Sequence, residues 1–220
     1  QYGFHFNSGV FSGPTALIEI IPNLFLLQSW TNYTVESFNI PSWSLSVEYY
    51  VYMLFFATLF VKGGVRSVLW LGIVMIVTYL VLNNIALLTG PVERGLYSFF
   101  IGTLTYLLYK NMKNYMIKIP PYVFTFVELA CVMLVIFIVA LDAQSSVVTG
   151  PLLFSFTIFV FSFEKGIISQ FFKHKVFVFF GKLSYSIYMT HMAIWVSAMA
   201  FFLFLSNILG FNMVPTFEGV

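Results

Sequence analysis

The sequence predicts an all-α fold, a polytopic transmembrane bundle of about seven helices that forms one membrane-embedded domain over residues 1–220. Three observations predict it. Hydrophobic residues make up 60% of the chain and charged residues 8%, too few charges to cover a water-facing surface. Apolar stretches near bilayer length recur between short polar breaks. Every second break collects the basic residues. With a mean hydropathy of +0.93, lipid is the expected solvent for most of the chain.

The clearest spans run from Trp43 to Val61, Ser67 to Asn84, Tyr122 to Leu141 and Leu183 to Ser206. Gly95 to Tyr109 and Val147 to Phe163 are shorter, near the lower length limit for a span. Thr15 to Trp30 is taken as a further span, although Glu19 and Pro22 interrupt it. The lone Cys131 lies in an apolar run, has no intrachain partner for a disulfide, and is expected in helix packing.

Basic residues fix the expected orientation. Lys62 and Arg66, then Lys110, Lys113 and Lys118, then Lys165, Lys173, Lys175 and Lys182 account for nine of the ten Lys and Arg. The alternate breaks, at Asn32 to Pro41, Leu88 to Arg94 and Asp142 to Ser146, hold only Arg94. Cytoplasmic loops are the ones enriched in Lys and Arg, so the first set is expected inside and Val220 outside. The break from Glu164 to Lys182 alternates Ile167, Ile168, Phe171, Phe172, Val176 and Phe179 with Lys173, His174 and Lys175. It reads as an amphipathic loop lying on the cytoplasmic interface against anionic lipid.

Ionisable groups inside a span are costly and mark candidate function. Glu48 lies five residues past Trp43, about 7 Å below the outer surface at helical rise. His191 lies eight residues past Leu183, about 12 Å above the inner one. In a hydrocarbon core roughly 30 Å thick the two levels differ by about 10 Å. Ser44, Glu48 and Tyr52 share one helical face, and so do Ser184, Tyr188, His191 and Trp195. Both faces are expected to look inward. The structural alternatives are a static Glu48–Arg94 ion pair and a core role for His191. Glu128, near the start of its span, is expected to serve the positive end of a helix dipole. Composition and spacing alone leave proton transport and catalysis equally open.

Three segments go further. Trp43-Ser44-Leu45-Ser46-Val47-Glu48, followed by Tyr52, resembles the Trp-Ser-Leu-Ser-Val-Glu motif of the acyltransferase 3 family. Gly181-Lys182-Leu183-Ser184-Tyr185-Ser186-Ile187-Tyr188-Met189-Thr190-His191 is similar to that family's late motif, and Arg94-Gly95 leading to Phe100-Ile101-Gly102 to its Arg-Gly helix. The resemblance spans about Asn23 to His191 and departs from the family at Tyr49, Tyr50 and Val51 and at Ala193. It implies an integral-membrane acyltransferase that moves an acyl group, commonly acetyl, from cytoplasmic acyl-CoA to a hydroxyl of an extracytoplasmic glycan or lipid. It implies Glu48 and His191 as catalytic residues, with Trp43, Ser44, Tyr52, Arg94, Ser184, Tyr185 and Tyr188 on the substrates. Phosphates of the donor are expected near Lys173, Lys175 and Lys182. Acyl-CoA is a substrate, so no bound cofactor or metal is expected, and the partners are membrane lipids, donor and acceptor, with no nucleic acid. The implied location is a bacterial inner or plasma membrane. The same resemblance implies a fragment that lacks the family's N-terminal helices, with their catalytic base, and its last helix. The competing classes are a proton-coupled transporter and a non-catalytic membrane subunit.

Overall fold

A computed structural model of the chain describes residues 16–30, 38, 41–140 and 147–209. All regular structure among them is helical: α1 (Ile20–Leu24), α2 (Ser42–Leu59), α3 (Gly63–Leu82), α4 (Gly90–Met116), α5 (Pro121–Ala140), α6 (Thr149–Phe161), α7 (Ile167–Phe172) and α8 (Lys175–Leu209). By length and apolarity α3 and α5 can each cross a membrane, and α8 can as a bent third. α2 falls short because Ser42, Ser44, Ser46 and Glu48 fill its first half. α6 is apolar but only 13 residues long.

α4 is the hub of the bundle, packed against α2, α3 and α6, while α5 lies on α6. Val47 and Val51 of α2, Trp70, Val74 and Val77 of α3, and Val92, Leu96, Tyr97 and Phe100 of α4 form the main core. Trp70 Nε1 donates to Thr58 Oγ1 at 2.9 Å, tying α3 to the end of α2. Phe124, Cys131 and Val160 form a smaller core between α5 and α6, and Cys131 is free and buried there. Outward faces are apolar too: Leu82, Phe126, Met133 and Ile158 are all exposed. A water-facing helix would carry polar residues at such positions.

The expected span from Thr15 to Trp30 is not formed by the described residues. Leu17–Glu19 make one 3-10 turn, α1 adds five residues, and Leu26 then takes a positive φ of 55°, which ends the helix. The segment closes against the first turns of α2 instead. Ser46 Oγ donates to Leu26 O at 2.5 Å and Tyr50 Oη to Phe25 O at 2.8 Å. Trp30 Nε1 donates to Ser46 O at 3.1 Å, and Gln28 Nε2 to Ser42 O at 3.1 Å. Ser29, Trp30 and the Gln28 amide nitrogen find their partners on α2, which holds the chain here without a continuing helix.

The amphipathic loop is also shorter than expected. Lys175 to Lys182 are the first turns of α8, and only α7 and its flanks remain as the connection. Phe177 packs on Phe171 and Phe172, with ring centroids 4.9 and 5.2 Å away, and this aromatic corner joins α7 to α8. Of the expected outer breaks, Asn32 to Pro41 lies outside the described residues apart from Phe38 and Pro41, Asp142 to Ser146 lies wholly outside them, and Leu88 to Arg94 leads into the first turns of α4. The inner ones can be compared. Arg66 and Lys110 line one cavity, and Lys165 Nζ reaches the carbonyls of Met116, Ile117 and Ile119 at 3.2, 2.7 and 2.6 Å. The basic breaks after α2, α4 and α6 therefore share one end of the bundle.

Candidate functional site

At the opposite end, α2 and α4 enclose a groove of about 440 Å³. Trp43, Ser44, Glu48 and Tyr52 line it from α2, and Arg94 and Ser98 from α4. The placement follows from the spacing. Positions i, i+4 and i+8 bring Ser44, Glu48 and Tyr52 to one face. Pro91 starts α4 where its missing N–H costs nothing, and Arg94 follows within the first turns. Gly95 then lets the two helices meet, since a Cβ there would overlap Val47 Cγ1. The glycine after the arginine thus sets the helix spacing that puts Arg94 across from Glu48.

Within the groove Tyr52 Oη donates to Glu48 Oε1 at 2.5 Å. Ser44 Oγ turns back to Pro41 O at 3.0 Å, which ties it to the helix start. Glu48 and Arg94 are both exposed to the groove and form no ion pair; the ion pair among the described residues is Lys173 to Glu164, at 2.5 Å. The static Glu48–Arg94 bridge is therefore absent from this structure. Carboxylate and guanidinium face a shared space with donor and acceptor capacity unspent.

α2 carries a second polar stripe that the sequence reading passed over. Ser42, Ser46 and Tyr50 are also spaced i, i+4, i+8, and this stripe binds the Phe25–Trp30 segment. Ser29 is fully buried there; its Oγ donates to Trp43 O at 2.8 Å, and Thr89 Oγ1 donates to Ser29 O at 2.5 Å. The end of α2 that holds the groove is thereby tied to the start of α4. Two interleaved stripes in one motif were the available signal.

The α8 residues are placed elsewhere. Ser184, Tyr185, Tyr188 and His191 are exposed, and α8 has no extensive packing against the other described helices. Ser184 Oγ donates to Gly181 O at 2.8 Å. The His191 ring hydrogen-bonds through Nδ1 to Tyr188 O and lies 5.5 Å, centroid to centroid, from the Tyr188 ring. The expected inward face of α8 is thus uncovered, and Glu48 and His191 are not brought together. A 52° bend separates Lys175–His191 from Ala193–Ser206. Lys173 pairs with Glu164, while Lys175 and Lys182 are exposed on the first turns of α8.

Glu128 has a clearer role than its sequence position gave. It is fully buried, and the helix end it serves belongs to α7 rather than to its own α5. Gly166 N donates to Oε1 at 3.1 Å, and Ile168 N and Ser169 N donate to Oε2 at 3.0 Å each. A Cβ on Gly166 would overlap the carboxylate. Next to it, Lys165 caps the C-terminal carbonyls of α4, where a cation suits the helix dipole. No group of three or more His, Cys, Asp or Glu that could hold a metal occurs among the described residues. Comparison with family profiles, characterised proteins and solved structures gives no match to this chain.

Proposed function

We propose that this chain is the catalytic membrane domain of an acyltransferase that acylates a hydroxyl of an extracytoplasmic glycan or lipid from a cytoplasmic acyl-CoA. The observation that carries the proposal is the groove. Five residues of the family-like motifs, Trp43, Ser44, Glu48, Tyr52 and Arg94, line one space between two helices, with Glu48 and Arg94 unpaired. In this proposal α2 to α6 and α8 cross a bacterial inner or plasma membrane, with the basic end of the bundle cytoplasmic. An exposed acid and an exposed arginine on such helices are expensive against lipid, which favours a wet or covered groove.

The reaction sets what the groove must do. The acceptor oxygen attacks the thioester carbonyl carbon, a C–O bond forms, and the C–S bond breaks. The hydroxyl proton passes to a base and finally to the coenzyme A thiolate. Arg94 supplies N–H donors for the carbonyl oxygen as negative charge builds there. Glu48, held by Tyr52, orients the proton-accepting group or the acceptor hydroxyl. His191 is assigned a positioning role on α8.

The test uses membranes bearing the full-length protein, supplied with acetyl-labelled coenzyme A. Label should appear in extracytoplasmic glycan or lipid, and Glu48→Gln, which keeps size and removes charge, should abolish it while insertion is normal. Equal incorporation by the variant would remove Glu48 from the chemistry. Substrate-dependent proton flux without coenzyme A dependence would assign the groove to a transporter.

A further inference from the structure

Beyond Phe99 lies a second cavity, of about 700 Å³, walled by α2, α3 and α4. It shares Ser98 and Phe99 with the first but opens toward the basic end of the bundle. Its lining holds two cations, Arg66 and Lys110, and no acid. Neither cation has an ion-pair partner among the described residues. Arg66 lies over the Trp70 ring, Cζ 5.3 Å from the centroid, and its Nε is buried without a hydrogen-bond partner. The remaining wall is mainly aromatic, with Phe55, Trp70, Phe99 and Tyr106. Gly102 is also in the lining, and a Cβ there would meet nothing within 4 Å.

We infer that this cavity binds a phosphate-bearing ligand whose adjoining part is apolar or aromatic. Two cations without a counter-anion, converging on one cavity, call for an anion from outside the chain. A guanidinium fork with a free Nε–H suits the tetrahedral oxygens of phosphate, and Lys110 adds a point charge. The aromatic wall has no use for an inorganic ion alone but covers an attached acyl chain or planar ring. Two sources offer this chemistry: a soluble phosphorylated molecule of the coenzyme A kind, and the headgroup of an anionic phospholipid. The phosphate site follows from the cavity whether or not the outer groove performs acyl transfer. If it does, a donor held here has its free end directed past Phe99 toward Glu48.

The experiment measures equilibrium binding to full-length protein in phosphatidylcholine nanodiscs, with coenzyme A as one probe and short-chain phosphatidylglycerol as the other. One probe should bind saturably and lose roughly tenfold or more in affinity in each of R66Q and K110Q, as removal of a charge-assisted phosphate contact implies. Thr103→Phe, which adds bulk at a residue lining this cavity and keeps both charges, should weaken the same probe. The K62Q/K118Q double variant, which removes two charges outside the cavity lining, should not. The probe that responds identifies the source. Failure of both probes to saturate, or equal losses in the Arg66/Lys110 and Lys62/Lys118 variants, overturns the site. Acylation by Glu48→Gln protein is a separate readout, so loss of either conclusion leaves the other standing.

Discussion

Glu48 and Glu128 are both carboxylates on apolar helices, yet they have opposite fates. Glu128 is fully buried and accepts three backbone N–H bonds from the α7 turn. Glu48 is exposed to a groove, accepts one bond from its own helix, and faces an unpaired arginine. A carboxylate with three charge-assisted donors has little left to offer a substrate. One with a single tyrosine partner and an open face does. Depth in the helix does not separate these two acids; the number of satisfied lone pairs does.

The sharpest way to break this comparison is to exchange the consequences of losing each acid. Glu48→Gln is expected to cut acyl transfer about 100-fold or more, the scale of a lost acid–base or electrostatic contribution, with stability unchanged. Glu128→Ala should do the reverse. It strands three N–H groups, two of them buried, and should cost about 3 kcal/mol or more of stability, with normal turnover per folded molecule. Thermal unfolding in detergent beside acetyl incorporation reads both. A Glu128 variant that folds normally but is inactive would remove the distinction.

Gly95 tests whether the groove depends on helix spacing. Gly95→Val pushes against Val47 and should cost about 1–3 kcal/mol, as overpacking does, while lowering activity by moving Arg94 away from Glu48. Gly102→Val, at a position with open space, is the matched control and should leave stability within about 0.5 kcal/mol. Equal effects at the two glycines would show that helix propensity, not contact, governs both.

How much was readable from sequence can be argued residue by residue. The helices α2, α3 and α5 follow from run length, and their bounds agree with expectation to within a few residues, but of the three only α3 and α5 are long and apolar enough to cross a membrane. The Ser44, Glu48 and Tyr52 face was readable because helical period is local. What failed was non-local. Residues 15–30 are apolar enough to suggest a span, but Gln28, Ser29 and Trp30 find partners 14–17 residues away on α2, which a hydropathy window cannot see. Glu128 was read against its own helix because the N-terminus it caps is 38–41 residues further on. The face of α8 was read as inward from its polar stripe, yet a stripe does not say which surface covers it. His191 measures that last point. His191→Gln is expected to keep partial acylation and His191→Ala to lose about tenfold, since only the amide can replace a ring hydrogen bond. Full activity of both would make the α8 stripe structural.

The smallest expected effect concerns the lysines that the family resemblance placed near the donor. Lys173 is engaged with Glu164 in an exposed ion pair, of a kind worth roughly 0–1 kcal/mol. Lys175 and Lys182 lie exposed on α8, and none of the three lines the cavity that holds Arg66 and Lys110. Their contribution to a phosphorylated donor is then long-range attraction, which salt screens over about 10 Å. Replacing all three with Gln should raise the donor KM less than about threefold at physiological salt, with kcat unchanged because phosphates are remote from the reacting bond. The same change at Arg66 and Lys110 should raise it roughly tenfold or more and persist in high salt, since a contact inside a cavity is screened less than a surface charge. A larger effect from the three lysines than from Arg66 and Lys110 would move the donor's phosphates back to the α7–α8 corner and reverse the ranking drawn here between clustered and cavity-bound cations.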